Sequence, residues 1–289
     1  MQMQGSSAGE WIETYRGVVS AWECDIVEHF TIAYYFERFA DATRNFLELI
    51  DEGASLSAVI DTGRSRFNTT FTQELRAGAG FHVLSAITAV EEKALRLAHQ
   101  VVESASGRTV SWLMETLPLT VPATADLRRR LLARAIAWPG PEVPQPTAEA
   151  TKQAVLTARD RVKPREIDEA GTMSLAACVH RFSSASMQFL TSIGMTGTYM
   201  HQNRRGFSTL ALDLALCGSA KVGDRIDVRT SIAHLGNTSL SYLHRMRGAD
   251  GREIASLVQA GVHLDLDARR ATKIPPAIRE TISKLLSEA

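Results

Sequence analysis

The stretch WECDIVEHFTIAYYFERFADATRNFL, residues 22–47, decides how the chain is read. From Ile32 onward the apolar side chains Ile32, Tyr35, Phe36, Phe39 and Phe46 fall at helical spacing, and Thr31 ahead of them is a good N-cap. The pattern predicts a helix over 32–50 with only a narrow polar strip, so other structure must wrap it. Three ionisable groups, Asp25, Glu28 and His29, stand directly in front of that helix.

The arrangement recurs 143 residues later. Asp25, Phe39, Ala42, Thr43, Phe46 and Leu47 find counterparts, without a gap, in Asp168, Phe182, Ala185, Ser186, Phe189 and Leu190. Ser174 takes the place of Thr31, and a second helix is expected over 175–193. Farther along, HQVVESASGRTVSWL (99–113) corresponds to HRMRGADGREIASL (244–257), and Pro122, Ala123, Leu131 and Leu132 recur as Pro276, Ala277, Leu285 and Leu286. Their common order argues for one fold built twice.

Strand-like runs follow each helix. TFTQEL, GFHVLSAITAV, ALRLAHQVV and TVSWLMETLPL belong to the first unit; FSTLALDLAL, RIDVRTSIAHL, SLSYLHRMR and EIASLVQAGVHLDL belong to the second. Turn signals at RAGAG, SASG, KVGD and GADG separate them, as an antiparallel meander requires. Residues 124–136, rich in Arg and Leu, read as an outer helix, and the Pro-rich WPGPEVPQPTAEA (138–150) reads as a linker. The expected organisation is a first unit over 1–137 and a second over 151–289. Each is α+β, a central helix wrapped by an antiparallel sheet.

Composition narrows the function. The 289 residues are 45% hydrophobic and 22% charged, an ordinary globular balance. Lys plus Arg equals Asp plus Glu at 32 each, so no overall basic field exists to hold nucleic acid or an anionic membrane. Three widely spaced cysteines fit reduced thiols and a cytoplasmic location better than a disulfide framework. GSSAG (5–9) matches a nucleophile pattern but lacks the strand before it and the helix after it. GAGFHV lacks the third glycine of a dinucleotide site, and no metal-ligand spacing stands out.

Two heptapeptides carry a family resemblance. DIVEHFT (25–31) and DEAGTMS (168–174) resemble the D-x-x-G-H-x-N signature of hotdog-fold acyl-CoA thioesterases related to 4-hydroxybenzoyl-CoA thioesterase. The ending GVHLDLDARRATKIPPAIRE is similar to one common in that group, including its betainyl-CoA thioesterase branch. Departures are visible: Glu28 stands where Gly is usual, Thr31 where Asn is usual, and Thr172 where His is usual. The resemblance implies a tandem, or double, hotdog whose units pair side by side within one chain, with room for further homo-oligomerisation. It implies an acyl-CoA substrate, water as co-substrate, and no cofactor beyond the coenzyme A of the substrate.

On that reading Asp25 is base or nucleophile, His29 orients the substrate carbonyl, and Thr31 caps the helix whose first amides, near residues 29–33, receive the oxyanion. Asp168, Gly171 and Thr172 mark a second, vestigial site, its His being absent. Glu28, Tyr35, Arg204 and Arg205 are the substrate-binding candidates, the arginines for CoA phosphates. His99 and His244 occupy matching strand positions that suit a core role as well as chemistry, and Glu115 has Gln259 as its repeat partner. Two rivals remain open: a hotdog enoyl-thioester hydratase or dehydratase, and a non-catalytic acyl-CoA-binding protein.

Overall fold

The computed structural model describes residues 9–50, 56–142 and 153–287. Most of GSSAG, and the linker from residue 143 on, lie outside them. The elements run β1 (Ile12–Val18), α1 (Ile32–Leu49), β2 (Arg66–Phe71), β3 (Gly80–Val90), β4 (Ala94–Glu103), β5 (Thr109–Pro118) and α2 (Ala125–Leu132). The second series is β6 (Val155–Arg161), α3 (Leu175–Ser192), α4 (Gly197–Asn203), β7 (Arg205–Leu216), β8 (Arg225–Leu235), β9 (Ser239–Gly248), β10 (Glu253–Asp265), β11 (Arg270–Ala271) and α5 (Pro276–Ser287).

All the strands join one antiparallel sheet in the order β1-β3-β4-β5-β2-β7-β10-β9-β8-β6, with β11 on β10. The order is a palindrome of the repeat, so the second unit's strands mirror the first across the β2–β7 seam. Asn68 pairs with Asp213 at its middle. Asp213, 8% exposed, accepts from Asn68 Nδ2 at 3.0 Å and from the Arg66 guanidinium at 2.9 and 2.5 Å. The charge is thus paired where the two units meet.

α1 and α3 lie on one face of this sheet, and each buries the stripe that its sequence prescribes. Ala33, Tyr35, Phe36, Phe39, Ala42, Phe46 and Leu47 are buried on α1; Ala177, Cys178, Val179, Phe182, Ala185, Phe189 and Leu190 are buried on α3. One central core draws on both units, combining Phe36, Phe39 and Phe67 with Phe182, Leu214 and Leu257. Two private cores flank it, one under α2 through Leu131 and one under α5 through Ile278 and Ile282. Shared burial of this kind makes the seam a core rather than a contact.

The strands match their expected runs closely, except β2. It occupies 66–71 rather than 70–75, because the amides of Thr72 and Gln73 both turn to Val110 O and end the ladder. Trp138, at the start of the expected linker, stacks edge-on to Trp112 with ring centroids 5.7 Å apart.

Candidate active site

Both helix mouths are built in one way. Asp25 Oδ1 accepts from the amides of Val27 (2.9 Å) and His29 (3.0 Å); Asp168 Oδ1 accepts from those of Ala170 (3.0 Å) and Thr172 (3.1 Å). Each aspartate therefore shapes its own loop. The loop requires a left-handed residue, supplied by Gly171 at φ 75° and, in the first unit, by Glu28 at φ 67°. A glutamate in that region costs about 1 kcal/mol or more relative to glycine. Glu28→Gly is expected to raise the unfolding free energy in urea by about 0.5–1 kcal/mol, part of the gain being lost to the freer unfolded chain.

A glutamate, buried in the first unit and half-buried in the second, then fixes each loop to its helix. Glu23 accepts from the Ser20 amide and meets Arg38 of α1; Glu166 accepts from the Lys163 amide and meets Arg181 of α3 at 2.7 Å. Of the amides expected as oxyanion donors, those of His29, Phe30 and Thr31 are bound to Asp25, Leu75 and Glu23. The equivalents at Thr172, Met173 and Ser174 are bound to Asp168, Ala220 and Glu166. That leaves Ile32 and Ala33 at one mouth and Leu175 and Ala176 at the other, since the first amides of a helix have no acceptor within it. Thr31 makes no side-chain cap bond, whereas Ser174 Oγ accepts from the Ala177 amide.

The two mouths differ in what surrounds them. At the first, Arg269 of the second unit reaches over: its Nη2 lies 2.7 Å from His29 Nε2 and it pairs with Glu74. Glu74 also lies 3.0 Å from His29 Nε2. Burial, followed by the charges of Arg269 and Arg76, lowers the His29 pKa to about 4, so the ring is neutral and its Nε2 accepts from Arg269. Arg269, not the imidazole, is then the cation beside Glu74. Water reaches Asp25, yet the surrounding protein raises its pKa: desolvation outweighs the His29 and Val27 amides and Arg269. Tyr35 is 4% exposed and its phenol is pushed up by burial, so it is core. Arg204 pairs with Asp267 at 3.1 Å, Arg205 with Asp265 at 3.0 Å, and exposed Glu28 lies 3.8 Å from Arg76.

A folded-state pKa of about 4 for His29, and of about 3 for fully buried His244, lies below the ordinary imidazole value of 6.5. Each neutral ring therefore contributes stability above pH 6.5 that is lost as pH falls, because the unfolded chain takes up the proton first. Urea midpoints are expected to fall steadily between pH 6.5 and about 4.

At the second mouth a cavity of about 980 Å3 opens between the units, lined by Asp168, Thr172 and residues 174–178 from one side and by Glu37, Asp41 and Arg44 of α1 from the other. The repeat explains the space. Where the first helix begins Ala33-Tyr34-Tyr35, the second begins Ala176-Ala177-Cys178. Two phenol rings are replaced by a methyl and a thiol. Cys178 is 1% exposed and burial pushes its thiol up to about 12, so it is no thiolate nucleophile at neutral pH.

The helices run antiparallel across this space. Tyr34 meets His180 edge-on at 5.0 Å, and Arg44 reaches Glu169 at 3.5 Å. Residues between, 37–41 of α1, therefore face the start of α3. Asp41 is half-buried and makes no hydrogen bond or ion pair among the described residues; desolvation raises its pKa, Arg38 opposing. Its repeat partner is Ser184. Sequence reasoning missed Asp41, although the Asp/Ser mismatch on an otherwise repeated helix was there to be read.

These features define a fused pair of hotdog units with a polar cavity at a helix mouth. The sequence model of the thioesterase-like superfamily matches residues 162–282, nearly all of the second unit. Among solved structures, an acyl-ACP thioesterase from Bacteroides thetaiotaomicron superposes with a TM-score of 0.66 at 11% identity, over 86% of this chain and 96% of that one. The 12:0-ACP thioesterase from Umbellularia californica superposes with a TM-score of 0.60 at 10% identity, over 88% and 94%. No curated protein sequence matches. The chain has the double hotdog fold of these structures, and its second unit is similar to the thioesterase-like superfamily. Among the described residues no helix is long and apolar enough to cross a membrane.

Proposed function

We propose that the protein is an acyl-CoA thioesterase whose reaction takes place at the mouth of α3. The observation that carries this reading is the cavity joining free helix amides, on one unit, to an unpartnered carboxyl group, Asp41, on the other. The thioester carbonyl oxygen accepts from Leu175 and Ala176 at the positive end of α3, where negative charge is stabilised as it develops. Asp41 takes a proton from water as the oxygen attacks the carbonyl carbon. The tetrahedral intermediate then collapses, the C–S bond breaks, and the thiol leaves with that proton, giving free acid and CoA. Water is the second substrate and no organic cofactor enters.

Arg44 and Arg165, both exposed and both lining the cavity, are placed to meet phosphates of the carrier. Asp168 holds the loop that aims the helix mouth. The Asp25 mouth is its counterpart, with Tyr34, Tyr35 and Arg269 around it and Ser184 in the position of Asp41.

The test is thiol release from a panel of acyl-CoA esters and matching acyl-carrier-protein esters. Turnover with free CoA as product supports the proposal. Hydration of crotonyl-CoA without thiol release would instead establish the hydratase reading, and saturable binding without turnover the binding-protein reading.

A further inference from the structure

The floor of the cavity holds a polar arrangement that thioester cleavage does not use. Glu115 on β5, 4% exposed, accepts at Oε2 from Thr43 Oγ1 (2.5 Å) and lies 3.2 Å from His99 Nε2. His99 Nδ1 is 2.7 Å from Ser85 Oγ, and Ser85 is 2.7 Å from Thr14 Oγ1. The bonds link Thr14, Ser85, His99 and Glu115 in one chain, and Thr43 joins it at the carboxyl. Both contacts to the carboxyl, from Thr43 and His99, fall on Oε2, and Oε1 has no protein partner among the described residues.

The second unit repeats this network with two Ser/Thr exchanges and an amide in place of the carboxyl. Thr157, Thr230, His244 and Ser186 stand for Thr14, Ser85, His99 and Thr43, and Gln259 stands for Glu115. Gln259 is satisfied at both ends: Oε1 accepts from Ser186 at 2.9 Å, and Nε2 donates to Thr209 Oγ1 at 2.7 Å. Thr209 lies across the ladder from Gly261. Its structural counterpart in the first unit, continuing the β2–β5 register toward Leu117, is Ser65.

Ser65 is 1% exposed, lines the same cavity, and its Oγ has no hydrogen-bond partner. The Gln-to-Thr bond of one unit is thus replaced, in the other, by a free carboxyl oxygen and a free hydroxyl on the same sheet face. Unpaired buried polar groups are costly and ask for a partner.

We propose that Glu115 Oε1 and Ser65 Oγ receive a hydrogen-bond-donating group, a hydroxyl or an amine, borne by the acyl chain away from the thioester. This rests on the thioesterase reading and narrows its substrate class to hydroxy- or aminoacyl thioesters. A plain alkyl chain would leave both groups unpaired and be discriminated against, by about tenfold or more.

The experiment compares acyl-CoA esters of one length carrying a terminal methyl, hydroxyl or amine, together with the corresponding non-hydrolysable S-alkyl CoA thioethers, on the full chain. The expected result is a kcat/KM and a thioether affinity about tenfold or more higher for the donor-bearing chains. That ratio should collapse in Glu115→Gln, which copies the residue the second unit already accommodates, and shrink in Ser65→Ala. Amine over hydroxyl would identify charge recognition; equal preference would identify hydrogen bonding alone. Hydrolysis without discrimination, or a Glu115→Gln change equal for all three chains, overturns this proposal and leaves the thioesterase reading standing. Discriminating thioether affinity without hydrolysis does the reverse, and no binding by any thioether removes both.

Discussion

Asp41→Asn is expected to cut thiol release by about 10²–10⁴-fold, the range set by removing a positioned general base. The substitution is nearly isosteric, and the group it replaces is a desolvated carboxylate without a paired cation. The same variant is therefore expected to hold or gain thermal stability at neutral pH: a carboxyl whose pKa is raised on folding contributes most below its unfolded value and loses that contribution as it ionises. Activity lost while stability is kept separates chemistry from folding. In the unmutated protein, the acid limb of kcat/KM should fall above the ordinary Asp value of 3.8, because the base must be ionised. Asp25→Asn is expected to cost less than about tenfold by the same reasoning; a larger loss there than at Asp41 would move the reaction to the first mouth.

Ala177→Tyr should abolish turnover, by about 10²-fold or more, through shape alone. Ala177 lines the cavity and is 7% exposed, and the first unit already carries Tyr34 at the same helical position. The ring would occupy the space in front of the Leu175 and Ala176 amides, and displacement of a substrate by even about 1 Å costs on the order of 10²-fold. Thermal unfolding should change little, since the α1 helix shows that this backbone tolerates the ring. Activity that survives Ala177→Tyr would place the substrate elsewhere.

The helices and most of the sheet were legible because their signals are local. A helix as apolar as residues 32–49 has few alternatives, and the repeat fixed its partner at 175–192. β1 and β6 were not read, since IETYRGV and VLTARDR are edge strands that bury few of their residues and carry charge like any loop. α4 was not read, since seven residues that bury only Met200 carry no apolar stripe. Asp25 and Asp168 were legible as a motif, but what they do with Oδ1 depends on loop geometry. The cavity was harder still. It comes from side chains that are missing, Ala177 and Cys178 opposite Tyr34 and Tyr35, and a search for reactive groups passes over alanine. Glu115 stands out in the sequence only through its mismatch with Gln259; its partners Thr43 and His99, and Ser85 behind His99, come from a helix and two other strands, brought together only by folding.

The place of the thioester carbonyl decides which helix mouth is the active site. A crystal structure with a CoA ketone analogue, in which methylene replaces the thioester sulfur, tests it most directly. The ketone oxygen is expected within hydrogen-bond distance of the Leu175 and Ala176 amides, with the Asp41 carboxyl facing the carbonyl carbon across the seam. A ketone oxygen found instead against Ile32 and Ala33, beside Asp25, would contradict it.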